Sequence, residues 1–197
     1  LLQILLSFGI EDNKGNEMAS EIVWESPKRN KLGQAFLTVK QEGRYYFSER
    51  AGIDSVAFIL YDRKLDKFCA VNERKPPLDE TKEDNKAFLV TAFGGSLDEA
   101  DCTPLEIVIR EAKEESGSDI TADDIIPLGK VMVSTQSNQF CHLYLVIVNA
   151  DKMGETDPQN EIEAEATLEW FNREDAYDYE YWKLITIIAK AESKKHI

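Results

Sequence analysis

Apolar residues fall in short runs whose spacing changes along the chain. Residues 55–61 form an unbroken apolar run of strand length, as expected for a strand buried on both faces. Residues 67–72 follow as its partner, and 88–93 make another buried strand leading directly into Gly94 and Gly95. Further upstream, residues 35–40 and 44–47 predict a hairpin turning at Glu42 and Gly43. Residues 104–115 carry a helical stripe of Leu105, Val108, Ile109 and Ala112. Thr103 stands at its N-cap, Pro104 at the first helical position, Glu106 where a capping box needs it, and Gly117 where a left-handed cap would end it. Strands are expected near 128–133, 140–148 and 163–171. A last helix over 174–193 has Tyr181, Leu184, Ile185, Ile188 and Ala191 as its inner face. Strands and helices interleave, so the fold class is α/β with a mixed sheet.

Polar segments punctuate this pattern. Residues 8–34 read as an extension or linker, and the charged, proline-bearing stretch 76–86 as a surface loop. The division drawn is an N-terminal extension with an early strand over 1–43, and a main domain over 44–197 that includes the last helix. The apolar run 1–6 reads as a short packing element, with an anchor or a leader ahead of an internal start at Met18 as the alternative. It is far shorter than the ~20 apolar residues of a membrane span.

Charge narrows the function classes. The 197 residues carry a formal net charge of −14, which disfavours gripping nucleic-acid phosphates. It does not exclude a small anionic substrate, because a bound cation reverses the sign of a local site. The three cysteines, Cys69, Cys102 and Cys141, form neither a zinc pattern nor an even disulfide framework and point to a reducing, cytoplasmic setting.

The chemistry concentrates in residues 110–117. Glu111, Glu114 and Glu115 stand at i, i+3 and i+4, on one side of a helix within about one turn. Like charges so close repel, unless a hard divalent cation such as Mg²⁺ takes their oxygens and shares them with substrate phosphates. Arg110 can pair with Glu106 or Glu114.

The stretch 95–118 resembles the Nudix box, whose pattern runs Gly, five residues, Glu, seven residues, then Arg-Glu-apolar-x-Glu-Glu-x-Gly-apolar. Arg110, Glu111, Ala112, Glu114, Glu115 and Gly117 match its second half in order. Cys102 occupies the place of the first glutamate, which Glu99 or Asp101 could take over. Ser118 stands where an apolar residue is usual, a place Ile120 could fill.

The resemblance implies an α/β/α sandwich with a loop–helix–loop motif, and Mg²⁺-dependent hydrolysis of a nucleoside diphosphate linked to another moiety, with Mn²⁺ as an alternative ion. It implies Glu111 and Glu115 as principal metal ligands, Glu114 as ligand or water-positioning residue, and the Gly94 carbonyl as a further ligand. Arg110 would orient a glutamate. The general base would sit on a late loop, at Glu161 first and Glu163 second.

The wider likeness, over about 44–176, is to ADP-ribose and ADP-sugar pyrophosphatases. It rests on residues 47–52, 71–77, 94–98 and 134–145. Ser134 stands near the place where many ADP-ribose enzymes have a proline, and the longer NADH-hydrolase signature is absent. Arg74 and Arg50 are candidates to grip substrate phosphate or ribose, and Tyr46 to stack on a base. His142, inside a strand pattern, reads as structural. The partner is thus a small nucleoside diphosphate, with no nucleic acid and no membrane, and a homodimer through residues 20–50 is an expectation from relatives. The alternatives are a hydrolase of NADH, dinucleoside polyphosphates or capped RNA ends, and a catalytically weak nucleotide-binding regulatory module.

Overall fold

The computed structural model describes residues 20–29, 33–50, 53–75, 88–98 and 102–197. The run 1–6, Met18, the loop 76–86, Glu99 and Asp101 lie outside the described residues.

Among the described residues ten strands form two sheets. The smaller joins β1 (Glu21–Glu25), β2 (Thr38–Glu42) and β3 (Tyr45–Glu49), all antiparallel. The β2–β3 hairpin closes at Glu42 opposite Tyr45, and Gly43 takes φ 59, a left-handed conformation that glycine enters without penalty. Strand β1 corrects the expectation of a linker over 8–34. Its residues are nearly all exposed and its register shifts between Ile22 and Trp24, so no in–out alternation marks it in the sequence. The sheet docks on the loop after β8. Ser48 N donates to Gln136 O (2.8 Å), Asn138 N to Ser48 O (3.2 Å), and the Tyr45 hydroxyl to Thr135 O.

The larger sheet contains β4 (Ser55–Asp62), β5 (Lys67–Arg74), β6 (Phe88–Thr91), β7 (Phe93–Ser96), β8 (Ile125–Met132), β9 (Phe140–Val148) and β10 (Thr167–Phe171). Its main path is β10-β5-β4-β9-β8, with β4 and β9 parallel and the other pairs antiparallel. The unbroken run of β4 is buried on both faces. Val56, Phe58 and Leu60 pack on one side with Ile107, Val108 and Ala112 of α1 (Pro104–Ser116). Ala57, Ile59 and Tyr61 pack on the other with Leu184, Ile187, Ile188 and Ala191 of α3 (Trp182–Ser193). Helices thus cover both faces, the α/β/α arrangement expected from sequence. A fully buried side chain such as Phe58 contributes about 1.5–3 kcal/mol.

The turn after β4 is fixed by a buried carboxylate. Asp62 accepts from the N–H groups of Lys64 (2.8 Å), Leu65 (3.1 Å) and Ala150 (2.7 Å). These bonds, foremost that from Ala150, hold its carboxyl below the usual range.

The sheet splits where the site lies. Strands β4 and β5 pair only at 60–62 with 67–69, and β6 then runs along β5 while β7 runs along β4. Residues 88–96 are therefore two strands bent at Ala92, not one strand ending before the glycines. Gly94 and Gly95 lie inside β7, opposite Ala57 and Val56.

Helix α1 has the expected Thr103–Glu106 capping box, Pro104 at its start and Gly117 at φ 68. Its buried stripe differs. Ile107 is fully buried and Leu105 exposed, so the inner face runs through 107, 108, 111, 112 and 115 and turns two glutamates inward. Residues 161–164 form a short helix, α2 (Glu161–Ala164), capped by Asn160, instead of opening the strand expected from 163. The final helix starts late. A 3₁₀ turn spans Asp175–Tyr177, Tyr179 sits edge-on to Phe171 (5.2 Å between centroids), and the helix begins at Trp182 with Ile187 inside in place of Ile185. Among the described residues no helix is long and apolar enough to cross a membrane.

Candidate active site

Where β4 and β5 diverge, a cleft of about 380 Å³ opens at the end of the sheet. Gly94, Gly95 and Ser96 line one side, Glu73 and Lys75 of β5 another. Glu115 enters from α1, Asn160 and Glu163 from the α2 turn, Tyr181 and Lys183 from the head of α3, and Arg50 follows β3. A narrower cavity behind it holds Glu73, Glu114, Glu115 and Glu163.

The glycine pair is required by packing. A Cβ on Gly95 would lie 2.6 Å from Glu111 Oε1 and 2.7 Å from Ile107 Cγ2, and one on Gly94 would lie 2.8 Å from Val56 O. Bare backbone lets α1 press its inner glutamates against β7.

Glu115 is the centre of the electrostatics. The Gly94 N–H donates to its carboxylate, while Oε2 is shut off from solvent and has no hydrogen-bond partner. Burial first, then the charges of Glu111, Glu73 and Glu163, push its pKa up to about 8. Glu111 is also raised, chiefly by burial, and Arg110 opposes this through an ion pair at 3.0 Å. Arg110 pairs with Glu111, and the Glu106 carboxylate serves the capping box.

Among the described residues no three His, Cys, Asp or Glu side chains already stand in a coordinating arrangement. The donor chemistry nevertheless fits a hard cation. Inward carboxylates that repel one another, an orphaned buried oxygen and a strand backbone close by make a set that a divalent ion neutralises. Glu115 lines both cavities and Glu114 the narrower one, while Glu111 lines neither but lies against Gly95 and acts on Glu115 through its charge, so these carboxylates with the Gly94 carbonyl could supply such ligands.

The other sequence candidates are distributed unevenly. Arg50 lines the cleft, donates to Ser96 Oγ (3.3 Å) and lies over the Phe36 ring (5.3 Å). Glu163 lines both cavities, whereas Glu161, two residues earlier on α2, is exposed and lines neither. Arg74 is one position out of phase with Glu73 and Lys75, so strand alternation gives the cleft to those two instead. Tyr46, half-exposed on β3, is paired with Gln41 and not part of the cleft lining. His142 has Nε2 3.6 Å from Asp54 Oδ2, which suits its structural reading.

Three charged lining residues escaped the sequence reading. Glu73 accepts from Thr91 Oγ1 (2.6 Å) and pairs with Lys75. The alternation Val71, Glu73, Lys75 was a usable signal for both. Lys183 follows only from where α3 begins, which no local pattern marks. Cys102 packs against the apolar cluster under α1, as does Ile120, while Ser118 is buried with its Oγ 2.9 Å from Ser116 Oγ.

This loop–strand–helix assembly, with glutamates turned onto a glycine strand, belongs to a known class. A family model of the NUDIX domain matches residues 53–190. The chain is therefore a member of the Nudix family, a pyrophosphohydrolase family whose enzymes typically use a divalent metal and act on nucleotide-type small molecules. No curated protein matches the chain.

Proposed function

We propose that the protein hydrolyses the pyrophosphate bond of ADP-ribose or a related nucleoside diphosphate sugar, releasing a nucleoside monophosphate and a sugar phosphate. The observation that carries the reading is Glu115, a buried carboxylate with an orphaned oxygen that faces Glu111, Glu73 and Glu163 at the head of the cleft. Four carboxylates gain nothing from this convergence unless a cation is held among them.

Glu111, Glu115 and the Gly94 carbonyl would hold the ion, with Glu114 as ligand or water-positioning residue, and Arg110 keeps Glu111 in its rotamer. Once bound, a divalent cation neutralises phosphate oxygens and lowers the pKa of a coordinated water. Glu163, facing the cleft, takes the proton of the attacking water, and Glu161 is the second choice for that role. The water oxygen bonds to phosphorus as the bridging P–O bond breaks, and the bridging oxygen leaves with the electron pair. Arg50, Lys75 and Lys183 offset the substrate's negative charge at the cleft walls of a chain that is acidic overall. The nucleotide-sugar preference is supported by the likeness over residues 44–176.

A catalytically weak binding module is the second reading, favoured by the packing of Cys102 against the apolar cluster. A homodimer through β1–β3 accords with the exposure of Ile22, Val23 and Trp24.

Incubation with Mg²⁺ and ADP-ribose, ADP-glucose, UDP-glucose, NADH and diadenosine polyphosphates, with product identification, tests the reading. ADP-ribose or a nucleotide sugar is expected to give a monophosphate and a sugar phosphate, and chelation to stop it. Tight binding of one of these compounds without turnover would establish the binding-module reading instead.

A further inference from the structure

We propose that Asn160 is a positioning residue that clamps the Glu163 carboxylate toward the cleft; the role rests on the hydrolase reading above. Asn160 acts with both ends of its side-chain amide. Its Oδ1 caps α2, accepting from Ile162 N (3.0 Å) and Glu163 N (3.1 Å), and its Nδ2 donates to Glu163 Oε1 (2.5 Å). The other oxygen, Oε2, accepts from Gln159 N (2.6 Å). Each carboxylate oxygen thus spends one lone pair on the loop and keeps one in hand. The plane of the group is fixed, and Glu163 lines both the cleft and the cavity it shares with Glu115.

The clamp is itself anchored to the helix that carries the other glutamates. Gly154 N donates to Gly117 O (2.9 Å), Asp157 N to Glu114 O (2.8 Å), and Gln159 Nε2 to Asp157 O (2.7 Å). A hydrogen-bonded strap therefore runs from the end of α1 to the carboxylate of Glu163. A four-residue helix has little intrinsic stability for a reciprocal cap to protect. The same device has a different value here, because it sets the direction of one carboxylate against three others.

The molecule supplies its own control. At the start of α1, Thr103 makes the same kind of reciprocal box, with Thr103 Oγ1 2.8 Å from Glu106 Oε2. Asn160→Thr keeps both a cap acceptor and a donor to Glu163. Asn160→Asp keeps an equally good cap acceptor but replaces the donor with an oxygen that repels Glu163. A purely structural cap does not distinguish Asp from Asn.

The experiment compares wild type, Asn160→Thr, Asn160→Asp and Glu163→Gln in Mg²⁺-dependent ADP-ribose hydrolysis, with thermal melts alongside. Expected are a kcat for Asn160→Thr within about threefold of wild type, and a loss of at least about tenfold for Asn160→Asp with KM within about twofold and the melting temperature unchanged. Wild-type turnover with Asn160→Asp unimpaired would overturn the clamp and leave the hydrolase reading standing. Absence of wild-type turnover would overturn the hydrolase reading and the positioning role with it. NMR of the full chain gives a check free of activity: Glu163→Ala is expected to shift the Gln159 N–H and the Asn160 side-chain amide, and unmoved signals would show that no clamp forms.

Discussion

Replacing Glu115 with glutamine is expected to lower metal-dependent turnover by about 10³-fold or more while making the metal-free protein more stable at mildly alkaline pH. The two effects have one origin. A buried carboxylate that faces Glu111, Glu73 and Glu163 is costly when ionised and valuable when it binds a cation. Loss of several kcal/mol of charge stabilisation corresponds to a loss of this size in rate.

The sign of the stability effect follows from the direction of the shift. The folded pKa of about 8 lies above the ordinary 4.5, so the folded chain binds this proton more tightly than the unfolded chain does. That contribution is fully present below about 4.5 and is lost as pH rises through about 8. Glutamine has no proton to lose, so metal-free Glu115→Gln should lack this fall. The difference at the alkaline end should be on the order of a few kcal/mol. Urea denaturation in the presence of a chelator at pH 5, 7 and 9 measures it. A wild type and variant with parallel pH profiles would refute the burial of an ionisable group at this position.

Gly95→Ala is expected to destabilise the fold by about 1–3 kcal/mol and cut turnover by about 10²-fold. The added methyl would sit 2.6 Å from Glu111 Oε1 and 2.7 Å from Ile107 Cγ2. Glu111 can swing away at small cost, but then it would leave the proposed ion site. Ile107 is fully buried and can yield only if α1 moves. Either response would displace a proposed ligand, so activity should suffer more than stability. Parallel denaturation and kinetic measurements separate the two, and an alanine variant with full activity would show that the helix does not rely on this close approach.

How much of this was legible in the sequence depended on whether local chemistry decided the outcome. The Thr103–Glu106 box, Pro104 and Gly117 act within one turn of chain, and they placed α1 almost to the residue. The run of β4 was equally plain, because burial on both faces leaves no polar position. The helix face was harder. Leu105 and Ile109 match the helical period as well as Ile107 does, and only contact with β4 and β7 chooses among them. That choice turns Glu111 and Glu115 inward, so the feature that makes the site was set by tertiary packing.

The same limit explains the rest. Residues 88–96 form one apolar pattern but serve two partner strands, and the bend at Ala92 comes from the divergence of β4 and β5. Glu161 and Glu163 are alike as sequence. The cap at Asn160 winds them into a helical turn, and only Glu163 lines the cleft. Arg74 is the sequence candidate for gripping phosphate or ribose, yet the alternation carried past the end of β5 gives the cleft to Lys75.

The most direct test of the site is calorimetric titration of the metal-free protein with Mn²⁺ at pH 7, in two buffers of different ionisation enthalpy. Because Glu115 holds its proton up to about pH 8, ion binding through its carboxylate must displace that proton. The expected result is binding with net proton release in the wild type, and binding at least about tenfold weaker with the proton release lost in Glu115→Gln. Equal affinity and equal proton release in the two proteins would contradict the assignment of Glu115 as the ligand on which the site is built.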